Sequence, residues 1–300
     1  MIMSSRKLVL VILVLVVALV IASVYIFSPF HEVRVRISTT TSLYATGLLD
    51  YLADQFKKEN PRVRLEYIAV GTGAALKYAE QGDACAVTVH APSLEKQYLE
   101  RGVLEPGIIF AYNFFIIVGP RTDPAGISNS SNVIDAFKKI YSAGESGKTA
   151  FISRGDNSGT HVKELDIWKK VNLNPADKSW YKEAATGMEQ TLVVANELQA
   201  YTLSDIGTYL KFKKAGKLPN LEILYANSTD LNTINIYSAY LVKKCSGEER
   251  KYAELFIRFL ENRQDIIGGF GLSEYGQPLF YPVKDKMKEI QTLWVKLSAE

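Results

Sequence analysis

The sequence predicts an α/β protein of two lobes closing around a ligand cleft, and three observations carry that prediction. Short apolar runs with strand character alternate with amphipathic helical stretches from residue 33 onward. Three strand-to-helix turns, at 38–42, 71–73 and 153–161, share one composition of hydroxyls and glycines. Two apolar stretches, near 111–118 and 235–242, are candidate crossings between lobes, which makes the second lobe an insertion in the first.

In chain order, residues 8–27 form an apolar run of twenty, preceded by Arg6 and Lys7. That length spans a bilayer, and the leading positive charge predicts a cytoplasmic N-terminus with the remainder outside. Residues 1–28 are therefore expected to be an N-terminal transmembrane helix serving as membrane anchor, with a cleaved secretory leader as the competing reading. Val33, Val35 and Ile37 alternate as a strand that ends in Ser38, Thr39, Thr40, Thr41 and Ser42. Leu48, Leu49, Leu52 and Phe56 share a helix face that closes before Pro61. A strand at 65–70 runs into Gly71, Thr72 and Gly73 and then a helix over 74–80. Another strand, 85–89, precedes His90, which is expected to turn or cap the chain ahead of a helix at 94–101. The long apolar stretch 108–118 ends at Gly119 and Pro120, and Val133, Ile134, Phe137 and Ile140 mark the inward face of the next helix.

The second lobe opens with a strand at 149–152, the turn 153–161, and a helix in which Val162, Leu165, Trp168 and Val171 recur at helical spacing. A short strand at 180–183 follows, then a helix containing Leu192, Val193, Ala195 and Leu198, a strand at 201–203 and a helix at 204–212. Strands at 221–225 and 234–242 lead to a strong helix at 248–262, a glycine-rich aromatic stretch at 268–282 and a terminal helix over 283–297. The expected division is 33–115 with 236–300 as lobe one and 116–235 as lobe two.

The turn Ser153-Arg154-Gly155-Asp156-Asn157-Ser158-Gly159-Thr160-His161 carries the most specific chemistry. Asn157 or Ser158 is a natural N-cap, and the amides of the first helical turn point outward without carbonyl partners. Together with the helix dipole and Arg154 they make an anion site, to which the hydroxyls of Ser153, Ser158 and Thr160 add uncharged donors. Capping alone is one alternative for this turn, and a Ser158 nucleophile with His161 as base is another. A formal net charge of +3 without a basic stripe argues against nucleic acid. Cys85 and Cys245 lie far apart without a CxxC motif, so a disulfide is allowed and a metal or redox site is not supported. With three histidines in the chain, no direct protein ligands to a metal are expected, and no cofactor.

Thr39-Thr40-Thr41-Ser42, Ala69-Val70-Gly71-Thr72-Gly73 with Ala75-Leu76, Val89-His90-Ala91-Pro92 and the 153–161 turn together resemble the tungstate-specific extracellular binding proteins of ABC importers. The similarity extends to Tyr112-Asn113, to Val118-Gly119-Pro120, to 201–205 and to Gly207-Thr208-Tyr209-Leu210. It implies a two-lobed periplasmic-binding-protein clamp of type II, not an enzyme, at the cell surface or in the periplasm. The implied partners are a tungstate or molybdate ion, an importer permease, and the membrane through the N-terminal helix, with the protein as a monomer. The implied ligand-binding residues are Thr40, Thr41, Ser42, Thr72, Gly73, Arg154, Ser158, Gly159 and Thr160. Phosphate or sulfate is the alternative ligand, and a secreted serine hydrolase a more distant one. Asp156 separates these oxyanions: pointing into the cleft it accepts the proton of a phosphate, while pointing away it leaves a cage of donors that rejects protonated ligands. The surplus of hydroxyls over carboxylates in the three turns favours the second arrangement.

Overall fold

The computed structural model describes residues 12–20, 23 and 32–299. β1 (Val33–Thr40) passes into α1 (Thr41–Ala45) and α2 (Leu48–Glu59) before β2 (Val63–Val70); α3 (Thr72–Gln81) leads to β3 (Ala86–Val89), and α4 (Pro92–Glu100) to β4 (Ile108–Pro120). Then come α5 (Val133–Glu145), β5 (Phe151–Ser153), α6 (Gly159–Lys170), β6 (Tyr181–Glu183), α7 (Met188–Leu198), β7 (Thr202–Asp205), α8 (Ile206–Lys214), β8 (Leu221–Tyr225) and β9 (Ile234–Leu241). The chain closes with α9 (Gly247–Asn262), α10 (Gln264–Gly269), α11 (Leu272–Tyr275) and α12 (Met287–Leu297).

β1, β2 and β3 are parallel and lie in the order β2-β1-β3. Parallel strands need crossovers, which the helices between them supply, and their carboxyl ends therefore share one edge. The register sets Thr40 beside Val70 and Thr39 beside Thr88, so the turns after all three strands emerge together. β4 is the longest strand, and it serves two neighbours in succession. Residues Ile108 to Phe114 pair with β9, which in turn pairs with β3, whereas Phe115 to Pro120 pair with β7 and β8. β5 and β6 pair in parallel beside this second group, with Phe151 also bridging to Tyr201.

Two apolar cores follow the same partition. Val35, Ile37, Phe56, Phe110, Tyr237 and Phe256 belong to one, packed between the β1 sheet and helices α2 and α9. Phe115, Phe137, Phe151, Trp168 and Tyr201 belong to the other. Cys85 and Cys245 form a disulfide at the outer ends of β3 and β9, which are paired antiparallel.

Several expectations change on folding. The stretch 38–42 is not a loop: β1 continues to Thr40, which directly caps α1. On α6 the buried face is Thr160, Lys163, Glu164, Ile167 and Trp168, and Leu165 is 47% exposed. Of the expected apolar positions Trp168 and Val171 are buried and Leu165 is not, because two charged residues go inside with partners: Glu164 accepts from Tyr181 Oη at 2.6 Å and Trp168 Nε1 at 3.2 Å, and Lys163 lies 3.9 Å from Asp166. Leu198 is likewise exposed at the end of α7, where Met188, Thr191, Leu192 and Ala195 turn inward. Half of the expected membrane span over 8–27 lies outside the described residues; residues 12–20 are helical with exposed side chains. Among the described residues no helix is long and apolar enough to cross a membrane, so the described part of the span lends the expected anchor no support.

Candidate functional site

Three helix starts surround one point. Thr40 caps α1, its Oγ1 accepting from Leu43 N at 3.2 Å. Gly71, in an extended conformation, opens the ten-residue α3 with Thr72 and Gly73 in its first turn. Ser158 opens the twelve-residue α6, its Oγ accepting from His161 N at 3.2 Å. The free amides at the start of α3 and α6 carry the positive end of each helix dipole.

Close approaches show that these turns face one another. A Cβ on Gly73 would lie 2.8 Å from Asn157 Nδ2, and one on Gly71 would lie 3.2 Å from the Asp156 carbonyl oxygen. A Cβ on Gly159 would lie 2.6 Å from His90 Cε1 and 2.8 Å from the His90 carbonyl oxygen. Glycine matters most at Gly159, where both the ring and the backbone of His90 close in; at Gly73 the neighbour is the end of the Asn157 side chain, and at Gly71 the Asp156 backbone need yield only slightly. Arg154, 1% exposed, extends from the end of β5 and donates from Nη2 to Thr41 Oγ1 at 3.1 Å. The turn itself is folded by left-handed residues, Gly155 at φ 60° and Asn157 at φ 54°.

Four hydroxyl and guanidinium donors at this junction are buried without a hydrogen-bond partner among the described residues, Thr72 Oγ1, Thr160 Oγ1, and Nε and Nη1 of Arg154, and Nε2 of His161 on the same turn is a fifth such atom. Each such group costs about 1–3 kcal/mol in an apolar setting, more when charged. A cluster of them suits an acceptor-rich ligand. Asp156 does not compete for that role, because Oδ1 accepts from Ser158 N at 3.1 Å and Oδ2 accepts from Arg154 Nη2. Its carboxylate thus braces the turn. Burial lowers the Arg154 guanidinium from its ordinary value, opposed by Asp156 and by Asp205. Asp205 caps α8, accepting from Thr208 N at 2.9 Å and Thr208 Oγ1 at 2.8 Å, and burial raises its carboxyl.

The turns that carry the nine expected residues, Thr40, Thr41, Ser42, Thr72, Gly73, Arg154, Ser158, Gly159 and Thr160, are neighbours, through Arg154 to Thr41, Gly73 to Asn157, and Ser42 and Gly159 to His90. The pairing of Ser158 with the His161 ring does not occur. His161 uses Nδ1 to accept from Asn157 N at 3.0 Å, and the Ser158 hydroxyl caps a helix, so no nucleophile and base are matched there.

One residue carries more than sequence reasoning assigned to it. His90 is not a surface turn or cap; it is buried against Ser42, with its Nε2 3.1 Å from Ser42 Oγ and its Nδ1 2.8 Å from Asn235 Oδ1. Burial pushes the imidazole down to about 4, so it is neutral near pH 7. The only signal in the sequence was its place at the end of the third parallel strand, level with the other two turns. Among the described residues no group of three or more His, Cys, Asp and Glu side chains could hold a metal ion.

Residues 31–263 match a family described as a PBP superfamily domain. The tungstate-binding protein TupA of Peptoclostridium acidaminophilum is 36% identical over 252 residues, covering 82% of this chain and 84% of that protein. Among solved structures, the tungstate-binding protein TupA from Desulfovibrio alaskensis G20 is 38% identical with a TM-score of 0.68, covering 83% of this chain and 98% of its own. The structure described as the tungstate ABC transporter from Geobacter sulfurreducens is 39% identical with a TM-score of 0.65, covering 82% and 98%.

Proposed function

We propose, from the premise that this chain belongs to the PBP superfamily and to the tungstate-binding protein family within it, that it captures tungstate between two lobes and delivers it to an ABC importer. The observation that carries this reading is the set of four unpartnered buried donors, two hydroxyls and two guanidinium N–H groups, on turns remote in sequence. Tungstate offers four oxygens and no hydrogen, which suits a site built of donors. Thr40, Thr41, Ser42, Thr72 and Gly73 would hold it from lobe one (33–115 and 236–300), and Arg154, Ser158, Gly159 and Thr160 from lobe two (116–235). Molybdate, with the same shape and charge, is the second ligand. Opening and closing would hinge where β4 changes partners at Phe114 and Phe115. The protein would act outside the cytoplasm as a monomer, its partner the importer permease, and it would carry out no chemical step.

Titration calorimetry with tungstate, molybdate, sulfate and phosphate tests the reading. Tungstate is expected to bind tightly and phosphate weakly; tight phosphate binding without tungstate binding would reverse the assignment. A hydrolase reading has one observation in its favour, the Ser42, His90 and Asn235 chain, which has the order of a nucleophile, base and orienting amide. An imidazole held at about 4 is a poor base near pH 7, and an activated ester that is not turned over by the protein disposes of that reading.

A further inference from the structure

The hydrogen-bond directions behind Ser42 follow from a single acceptor. The Leu279 carbonyl oxygen can only accept, so Asn113 on β4 points its Nδ2 there at 3.3 Å and its Oδ1 toward β9. Asn235 meets that oxygen with Nδ2 at 3.0 Å, and the same nitrogen reaches Tyr237 Oη at 2.7 Å. Asn235 Oδ1 then faces His90 Nδ1 at 2.8 Å, which assigns the imidazole hydrogen to Nδ1. A neutral ring so protonated has a bare Nε2, and the Ser42 hydroxyl 3.1 Å away must donate to it. Ser42 is left with lone pairs for any other neighbour. That is the wrong polarity for a bare oxyanion.

We propose that capture of a dianion is coupled to uptake of a proton at His90 Nε2, which reverses the Ser42–His90 hydrogen bond and frees the Ser42 hydrogen for an anion oxygen. His90 is then a positioning residue that sets the charge state the site accepts. The inference rests on the oxyanion reading above. The step balances simply: one proton comes from solvent to Nε2, Nε2–H donates to Ser42 Oγ, and the Ser42 O–H turns to the ligand.

The surroundings of His90 favour this response. From the turn before α6, Arg154 opposes protonation of the ring and Asp156 favours it. Tyr237 and Phe115, on β9 and β4, present uncharged rings with centroids 5.0 and 6.4 Å away. Lys163, Asp166 and Lys169 of α6 line the same cavity of about 190 Å³ as His90. Arg154 is already paired with Asp156 and also feels Asp205, so it cannot neutralise a dianion alone. Two added negative charges beside Arg154 cancel its field at His90 and raise the proton affinity of the ring.

Calorimetry of tungstate binding in PIPES and in Tris, whose ionisation enthalpies differ, measures proton uptake directly. The parent is expected to take up a fraction of a proton at pH 7 that rises toward roughly one at pH 6, with Kd falling up to about tenfold per pH unit between 8 and 6. His90→Gln, checked for folding by its melting profile, is expected to bind with neither uptake nor pH dependence. His161→Gln is expected to retain both, since that ring keeps its own partner at Asn157. Equal heats in the two buffers for the parent overturn the proposal while leaving tungstate binding intact, and uptake persisting in His90→Gln overturns it without relying on a null result. If the parent gives no tungstate heat at all, the oxyanion reading fails and this inference with it.

Discussion

Replacing Arg154 by alanine gives the sharpest separation between a binding role and a structural one. In the folded protein Nε and Nη1 have no partner among the described residues, and Nη2 contacts Thr41 and Asp156. An anion in the cleft would take the two free N–H groups, each a charge-assisted bond of about 1.5–3 kcal/mol. Asp156 would meanwhile stay close to the anion with its countercharge gone. The expected loss is about 3–5 kcal/mol, or roughly two to three and a half decades in Kd. Folding should respond quite differently: alanine removes two buried orphan donors, and Asp156 keeps the Ser158 amide, so the empty variant should melt within about 1 kcal/mol of the parent. Calorimetry supplies the affinity, and melting with and without tungstate supplies the stability, since a ligand stabilises by a logarithm of its concentration over Kd. Tungstate binding within threefold of the parent would refute the placement of Arg154 in the cage.

Other tests use the same molecule. Thr72→Val and Thr160→Val should each weaken tungstate by about 1–3 kcal/mol in calorimetry while leaving the melting temperature of the empty protein unchanged or slightly higher, because each removes an unpartnered buried hydroxyl. Gly159→Ala should block the approach of α6 to His90; small-angle scattering should then show no ligand-induced compaction, and Kd should rise at least tenfold. Glu164 is fully buried and desolvation raises its carboxyl to about 7, so the folded state binds the proton more tightly than the unfolded chain. Stability should therefore fall by about 3 kcal/mol as pH rises from 4.5 to above 7, a slope that denaturant melts should find flattened in Glu164→Gln.

The alternation of strands and helices was legible because parallel strands joined by helices leave strong periodic marks, and the three donor-rich turns were legible because hydroxyls and glycine mark helix starts. What the sequence hid was long-range pairing. Leu165 looks like a core residue, and it is exposed because Glu164 finds Tyr181 and Trp168 while Lys163 finds Asp166, a set of contacts that apolar periodicity ignores. His90 shows the same limit more strongly. Its role depends on Asn235, which lies 145 residues further along, and on Asn113 beyond that. The Ser158 and His161 pair fails for a local reason: the hydroxyl is used to cap the helix that carries the ring.

The disulfide between Cys85 and Cys245 spans 160 positions, with Cα atoms 5.0 Å apart, and every strand from β4 to β8 lies within that span. The stretch 86–244 is therefore a closed covalent ring, and it holds β3 and β9 of the β1 sheet as well as β4 to β8. Heat or denaturant can melt it without letting its two ends drift away, and it re-enters folding with both ends already in register. Because β3 and β9 lie inside that ring, an exchange made between the two cysteines would replace two strands of the β1 sheet along with everything between them.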